Sequence, residues 1–431
     1  MLFGKDNFLR KNQGKVLLGY EMGSSYVQIS YLVVGEQEPQ TLSLVAGAEE
    51  YKIPFVLFRA DNSGLWYFGK EAAEKQNQRE GHGITGLWEL AQKQKEYRIG
   101  EDVYDTTALL ALFVKRSLSL LSMVASIEAI AACNFTVEEP DEKKIKILQK
   151  MTEFLQLKSM EFHFMGKEES FFHYNLHSEA QLWKHQVVLY EMEEDHFISY
   201  RLVLNRNTSP IVTLIHKKSY PILYRSQAFT PQEKEKKDQW FLEILKGDME
   251  QSIVSAVYLI GDGFLGEWYQ QSVRYLCQKR RVFLGNNLYS KGACYGLADV
   301  LMPREELQGY VYLGNDKVMA NVGILALQRG KEVYLPVLNG GTSWYEVQRD
   351  WDFVMEEENR LRFRITPLDG KNVVYEEVFL EGLGLRKREY CRIHMEISME
   401  SKSTMRVKIW EKGFGEFYPS KGQYWEEMIS L

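Results

Sequence analysis

Cysteine is scarce: 4 occur in 431 residues, and Cys133, Cys277, Cys294 and Cys391 form no C-x-x-C pair. That excludes a disulfide framework and a zinc ribbon, and reduced, buried thiols in a cytoplasmic protein are expected instead. Long apolar runs are missing too. None approaches the ~18 residues of a spanning helix, because the richest stretch, 106–132, is broken by Lys115, Arg116 and Glu128. The opening MLFGKDNFLRKNQGK holds no apolar stretch of signal-peptide length. Prolines number only 10, and no low-complexity linker or repeat of solenoid period is present. Charge of one sign is not in excess: 53 Lys+Arg face 59 Asp+Glu, a formal charge of -6, so nothing marks a nucleic-acid binder. Walker A, G-x-S-x-G and H-E-x-x-H sequences are all lacking, which leaves P-loop, serine-hydrolase and zincin readings unsupported.

What is there is ordinary globular material, 45% hydrophobic and 26% charged. At about 150 residues per domain the chain should hold two to three domains. The aromatic share of 13%, with 25 Tyr and 22 Phe, points to β-rich cores. Residues 16–34 read as a hairpin, an apolar strand followed by an alternating one. Short strands follow at 51–58 and 65–68 around the turn 61–64, then helices at 70–80 and 106–122, a strand at 127–137 and a helix at 141–155. A second block starts with a strand at 186–190 and continues through strands at 196–205 and 211–216. The charge run 232–238 leads a helix and reads as its solvated face. A strand at 256–260, a helix at 266–279, a strand at 281–284 and a helix from 290 complete the block. From about residue 318 strands dominate, with turns such as Asp369-Gly370 and Gly413, in the pattern of an all-β sandwich.

Two glycine turns follow apolar strands. In Gly19-Tyr20-Glu21-Met22-Gly23-Ser24-Ser25, glycine would admit a ligand to the backbone, and N–H groups with the hydroxyls of Ser24 and Ser25 would suit a phosphate. Glu21 could hold magnesium through water. Gly261-Asp262-Gly263 sits between a strand and a helix, where a ligand could again lie against the main chain. An ordinary hairpin turn and a plain strand-to-helix connection are the competing readings. His173 and His177 share a helix face at i, i+4 spacing but lack a carboxylate motif, and are read as surface or packing histidines. The acidic run Glu191, Glu193, Glu194, Asp195 with His196 alternates faces if extended, so it reads as a solvated turn before it reads as a metal site.

The order of these segments resembles the DnaK-type 70-kDa heat-shock chaperones of the actin-like ATPase superfamily. GYEMGSS stands where that family has its first phosphate loop, G-I-D-L-G-T-T, and IPFVLF…FGKEAAE is similar to I-P-S-x-V-x-F…V-G-x-x-A-A. EAIAACNFTVEEPDEKKIKILQKMTEF resembles V-I-T-V-P-A-x-F…Q-R, VYLIGDGFLGEWYQQSVRYL the adenosine loop V-x-L-V-G-G-x-S-R, and YSKGACYGL the A-x-G-A-A passage. VGILALQRGKEVYLPVLNGGT resembles the entry of the chaperone β-sandwich, and EVFLEGLGLRKREYCRIHMEISMESKSTMRVKIWEKGFGE continues it.

The resemblance implies an α/β actin-like, two-lobed nucleotide-binding domain with ribonuclease H-like lobes over residues 1–310, lobe I at about 14–175 and lobe II at about 180–310. A substrate-binding β-sandwich is then expected over 315–431, without the helical lid. It implies ATP or ADP with Mg2+ as the cofactor, held by Gly19, Glu21, Gly23, Ser24, Ser25, Gly261, Asp262 and Gly263, with Glu21 on the metal. It implies a protein or extended peptide as the partner, through the β domain, with no nucleic acid and no membrane span. The departures bear on the chemistry. The second phosphate loop, D-L-G-G-G-T-x-D, is replaced by Tyr190-Glu191-Met192-Glu193-Glu194-Asp195-His196, which lacks glycine and adds carboxylates. Asp262 replaces a glycine of the adenosine loop, and no match to the catalytic lysine is found. The expectation is a chaperone-like binding module with weak or no ATP hydrolysis. An active ATPase or phosphotransferase of the same superfamily and an actin-like assembly protein are the alternatives.

Overall fold

The fold is that of a computed structural model, which describes residues 8, 11–45, 47–78, 81–224, 230–250, 252–285, 287–356, 359–368, 372–383, 390–414 and 419–431. The chain is mixed α/β with a strand-rich C-terminal region, and it divides into two compact units, Met1–Tyr312 and Leu313–Leu431.

The first unit is built on two sheets. Strands β1 (Val16–Met22), β2 (Tyr26–Val33) and β3 (Gln40–Thr41) pair antiparallel, and β4 (Ile130–Val137) and β5 (Glu161–Gly166) add in parallel on the other side of β1. The second sheet repeats that order. Strands β6 (Gln186–Met192), β7 (Phe197–Asn205) and β8 (Ile211–Ser219) pair antiparallel, and β9 (Val254–Ile260) and β10 (Arg281–Leu284) add in parallel beyond β6. A short strand, β11 (Tyr310–Tyr312), extends the second sheet beside β8. β1 and β4 are buried along their whole length, as expected of near-continuous apolar strands covered on both faces.

Helices are placed by their caps. Asp105 accepts from the backbone N–H groups of Thr107 and Ala108 to start α1 (Thr106–Leu118). Asp141 caps α2 (Glu142–Leu155) through Lys144 N–H. After α3 (Lys167–Leu176), a Thr230–Glu233 capping box with Pro231 in the first turn opens α4 (Pro231–Met249). α5 (Leu288–Leu301) is the last of the unit's long helices, ahead of β11. α1 with its 3-10 extension, Thr106–Met123, is long and apolar enough by composition to cross a membrane, contrary to the sequence expectation. Here Leu110, Phe113 and Val114 are packed in the interior.

Other departures have local causes. The helix expected from Gly266 starts at Gln270, because Gly266 takes φ +81°, outside the helical region. The charge run is not wholly solvated: Lys237 and Asp238 are buried, Lys237 Nζ donating to Gly263 O at 3.0 Å and Asp238 capping the helix Gln270–Cys277 through Gln271 and Ser272 N–H. Of the four thiols, Cys277 is exposed.

The second unit holds two four-stranded antiparallel sheets. One runs β13-β12-β15-β16 and the other β14-β17-β18-β19, from β12 (Ala320–Gln328), β13 (Lys331–Leu338), β14 (Gln348–Glu356), β15 (Arg360–Pro367), β16 (Val374–Phe379), β17 (Tyr390–Ser401), β18 (Thr404–Glu411) and β19 (Tyr424–Ser430). Alternate residues of both sheets, among them Ile324, Phe363, Ile393, Met395 and Ile409, share one apolar core. The expected turn Asp369-Gly370 lies outside the described residues, and β19 was not anticipated.

Candidate functional site

Both hairpins of the first unit end in the same three residues, Tyr20-Glu21-Met22 on β1 and Tyr190-Glu191-Met192 on β6. Each turn is closed by one backbone bond, Gly23 N–H to Tyr26 O at 3.0 Å and Glu193 N–H to His196 O at 2.9 Å. Glu21 and Glu191 are buried, at 2% and 1% exposure. Glu191 therefore belongs to the strand and not to a solvated turn; only Glu194 and Asp195 of that run are exposed. β6 can carry a buried carboxylate because Lys167, the first residue of α3, meets it at 2.6 Å. Tyr289 OH donates to its other oxygen at 2.9 Å, and His196 Nε2 lies 3.6 Å away.

The two carboxyls titrate in opposite directions. Burial pushes Glu21 up to about 7, against the pull of the Lys167 ammonium. Burial would also raise Glu191, but Lys167 and the hydrogen bonds from His196 and Lys167 hold it well below the usual range. Lys167, which burial alone would depress, is raised by Glu191 and Glu21. The cluster is thus a resident ammonium between two carboxyls, one firmly ionised and one ready to take a proton.

The flanks of the two glutamates differ. Glu21 pairs across the sheet with Gln28 and Thr136, and Gly19 in the same row system pairs with Asn134. Glu21 Oε2, both Gln28 side-chain polar atoms, Asn134 Oδ1 and Thr136 Oγ1 are buried without a protein hydrogen bond. In the second sheet the positions beside Glu191 are Ile198 and Ile260. The first hairpin keeps a polar floor where the second has an apolar one.

Three turns are tied together above this cluster by Glu193. Its carboxylate accepts from Tyr26 OH at 3.0 Å and from Asp262 N–H at 3.1 Å, and Lys52 Nζ lies 3.5 Å away. Lys52 also reaches Asp262 Oδ1 at 2.7 Å and sits 3.9 Å from the Tyr26 ring centroid. The first turn, the second turn and the Gly261–Gly263 turn are joined through one buried-edge anion.

The sequence-predicted residues fall on both sides of this arrangement. Glu21 lies in the charged cluster, and Asp262 in the tie. Ser24 and Ser25 are exposed and Gly23 serves the hairpin turn. Gly19 does not face a ligand position: a Cβ there would stand 1.9 Å from Ser290 O and 2.8 Å from Cys294 N, so its bareness admits α5. Gly261, at φ +97°, abuts Met192 O, and Gly263 abuts the Met192 side chain; a Cβ at either would lie 2.3 Å from its neighbour. Both glycines serve packing against the second hairpin. Lys167, Lys52 and Tyr26 were missed, and Glu193 was read only within the acidic run, as part of a solvated turn. The repeated Tyr-Glu-Met was the signal that could have paired Glu191 with Glu21; nothing in the sequence singles out Lys167.

Behind the cluster α3 and α5 are clamped together. His173 Nδ1 and His177 Nε2 each meet one oxygen of Asp299 at 2.7 Å, His173 Nε2 lies 3.8 Å from Glu169, and Arg304 meets Nδ1 of His177. These are interior histidines of a helix interface. Among the described residues no group of three His, Cys, Asp or Glu side chains converges as a metal site.

A family profile described as "Family of unknown function (DUF5716) C-terminal" matches residues 38–315, and one described as "Domain of unknown function (DUF8552)" matches residues 317–431. The chain belongs to the DUF5716 family. No curated protein matches it. All the residues of the cluster except Glu21, and of the tie except Tyr26, lie inside the DUF5716 match. The Glu193 carboxylate accepts from the Asp262 amide, and the Lys167 ammonium is paired with Glu191, while Glu21, the carboxyl expected on magnesium, keeps one buried oxygen without a hydrogen bond.

Proposed function

We propose that this protein is a divergent DnaK-like member of the actin-like superfamily, cytoplasmic, whose inter-lobe cleft is closed by its own side chains. It hydrolyses ATP weakly or not at all, and its C-terminal β unit acts as a binding module for a protein or an extended peptide. The repeated strand order and the repeated Tyr-Glu-Met ends support descent from a duplicated lobe. The observation that carries the reading is Glu193: an anion supplied by the chain, held by Tyr26, Lys52 and the Asp262 amide. Lys167 supplies the matching cation. With both charges internal, an incoming triphosphate gains little and must displace bonds already made.

A second reading, a working ATP-binding enzyme, is favoured by one feature, the polar floor of Glu21, Gln28, Asn134 and Thr136. Calorimetric titration of the full chain with ATP and Mg2+, combined with a phosphate-release assay, separates the two. The proposal expects no micromolar binding and at most slow turnover, unchanged by Glu21→Ala. Micromolar binding with turnover that Glu21→Ala abolishes would establish the enzyme instead.

A further inference from the structure

The first sheet of the first unit has a second end, away from its hairpin turn. Lys15 precedes β1 and Glu161 starts β5, and β4 and β5 run parallel to β1 from there. β1 is extended, so Lys15 stands ~20 Å from Glu21, clear of the charged cluster. At this end a cavity of about 280 Å³ is lined by Phe8, Lys11, Asn12, Lys15, Ser159 and Glu161. Local bonds fix its wall. Lys15 N–H donates to Asn12 O at 2.9 Å, Val34 N–H to Lys15 O at 2.8 Å, and Asn12 Nδ2 to Phe8 O at 3.2 Å. Asn12 is buried, and Phe8 packs against the apolar cluster of Leu17, Leu297 and Ala298.

Charge and volume select the occupant. Among the described residues, Lys11 and Lys15 make neither an ion pair nor a side-chain hydrogen bond, Lys15 half-buried in the wall and Lys11 exposed at the rim. Glu161, the carboxylate in the lining, is out of ion-pair reach of both and lies 3.9 Å from His163 Nε2. The volume is near the lower end of the ~300–1,000 Å³ of small-molecule sites and far above the ~30 Å³ of a water, so a bare ion would leave it unfilled. The apolar void between Phe172, Trp183 and Tyr310, by contrast, holds about 10 Å³, room for one water. Lysines meet phosphate as point charges, and a phosphate monoester, at about −1.5 to −2, balances two of them. Glu161, once ionised, can only accept, which calls for a hydroxyl donor elsewhere on the same molecule.

We infer that this cavity binds a small phosphorylated polyol of the sugar-phosphate class. Its phosphate sits on Lys11 and Lys15, a hydroxyl donates to Glu161, and its carbon skeleton lies against Phe8. Neither lysine has a bond to give up, so the phosphate displaces only solvent there. None of these residues belongs to the charged cluster or to the three-turn tie, so the inference is independent of the inter-lobe reading.

The test is calorimetric titration of the full chain with glucose 6-phosphate, gluconate and inorganic phosphate. Glucose 6-phosphate is expected to bind about tenfold or more tightly than either of the others, and more weakly as salt is added. Lys15→Ala should weaken it by about tenfold, the loss of one charge-assisted bond, and so should Lys11→Ala, an exposed position that spares the core. Glu161→Ala should weaken glucose 6-phosphate but not inorganic phosphate, and Lys408→Ala in the second unit should change neither. Gluconate binding as tightly would make a carboxylate the anion, and inorganic phosphate binding as tightly would remove the polyol; either overturns the inference. Binding untouched by both lysine variants, or no heat from any of the three probes, overturns it too. None of the probes carries a nucleobase, so each of these results leaves the inter-lobe reading where the ATP titration puts it.

Discussion

At the scale of single residues, Glu21 and Glu191 occupy the same place in two copies of one hairpin, yet only Glu191 has an ammonium in hydrogen-bond contact. Glu21, raised to about 7 from 4.5 by burial, contributes stability that is present below the unfolded value of 4.5 and lost as pH rises through 7. Glu191 has the opposite sign, with stability present above 4.5 and lost as acid reaches its lowered folded value. Lys167 is the residue on which both depend. Lys167→Met leaves two buried carboxyls without a counter-charge and is expected to lower unfolding free energy by about 3–5 kcal/mol in urea titrations at pH 8. Glu21→Gln at the same pH should be neutral or stabilising, since it removes a carboxyl forced to ionise out of water. A loss below ~1 kcal/mol for Lys167→Met would mean the pair is solvated, as surface pairs are. Sequence alone carried the glutamates but not this charge balance, because Lys167 comes to Glu191 only through the parallel crossover that delivers α3.

At the scale of elements, α3 and α5 form the central helix contact of the first unit, and their packing explains several glycines. Gly292 brings α5 against Ser170 of α3, and Gly19 opens β1 to α5; a Cβ would stand 2.1 and 1.9 Å from backbone oxygens. The small residues of 292–293 were legible as a packed helix face. Gly19, set among turn residues, read as a ligand approach because glycine is required by both. The clamp at the end of this interface titrates. Burial would lower His173, but hydrogen bonds and charge from Asp299 and Glu169 raise it to about 9 from 6.5. Its contribution is complete below pH 6.5 and lost as pH rises through 9. His177 is lowered by burial, with Arg304 and His173 adding to the effect and Asp299 opposing it, so its contribution is lost as pH falls below 6.5. The His173 part of the thermal stability should therefore fall as pH rises from 6.5 through 9, by at most ~3 kcal/mol, on top of the Glu21 loss at lower pH. His173→Gln should flatten the alkaline limb specifically, and an unchanged limb would remove His173 from the clamp.

At the scale of the whole molecule, the α/β composition of the first unit and the strand-rich second unit were legible. The hairpins, the Asp-capped helices and the alternation on β17 each declare themselves locally. What was not legible is convergence. Tyr26, Lys52, Glu193 and Asp262 are ordinary polar residues until sheet order brings their turns together. The fold adds a carboxylate that ties three turns. The direct measurement is a crystal structure of the full chain grown with ATP and Mg2+ in large excess. The account predicts Glu193 still bonded to Tyr26 OH and the Asp262 amide, with Lys167 on Glu191 and no ordered triphosphate between the hairpins. A triphosphate lying against Gly23 and the Asp262 amide, with a cation at Glu21 and Glu193 swung into solvent, would contradict it.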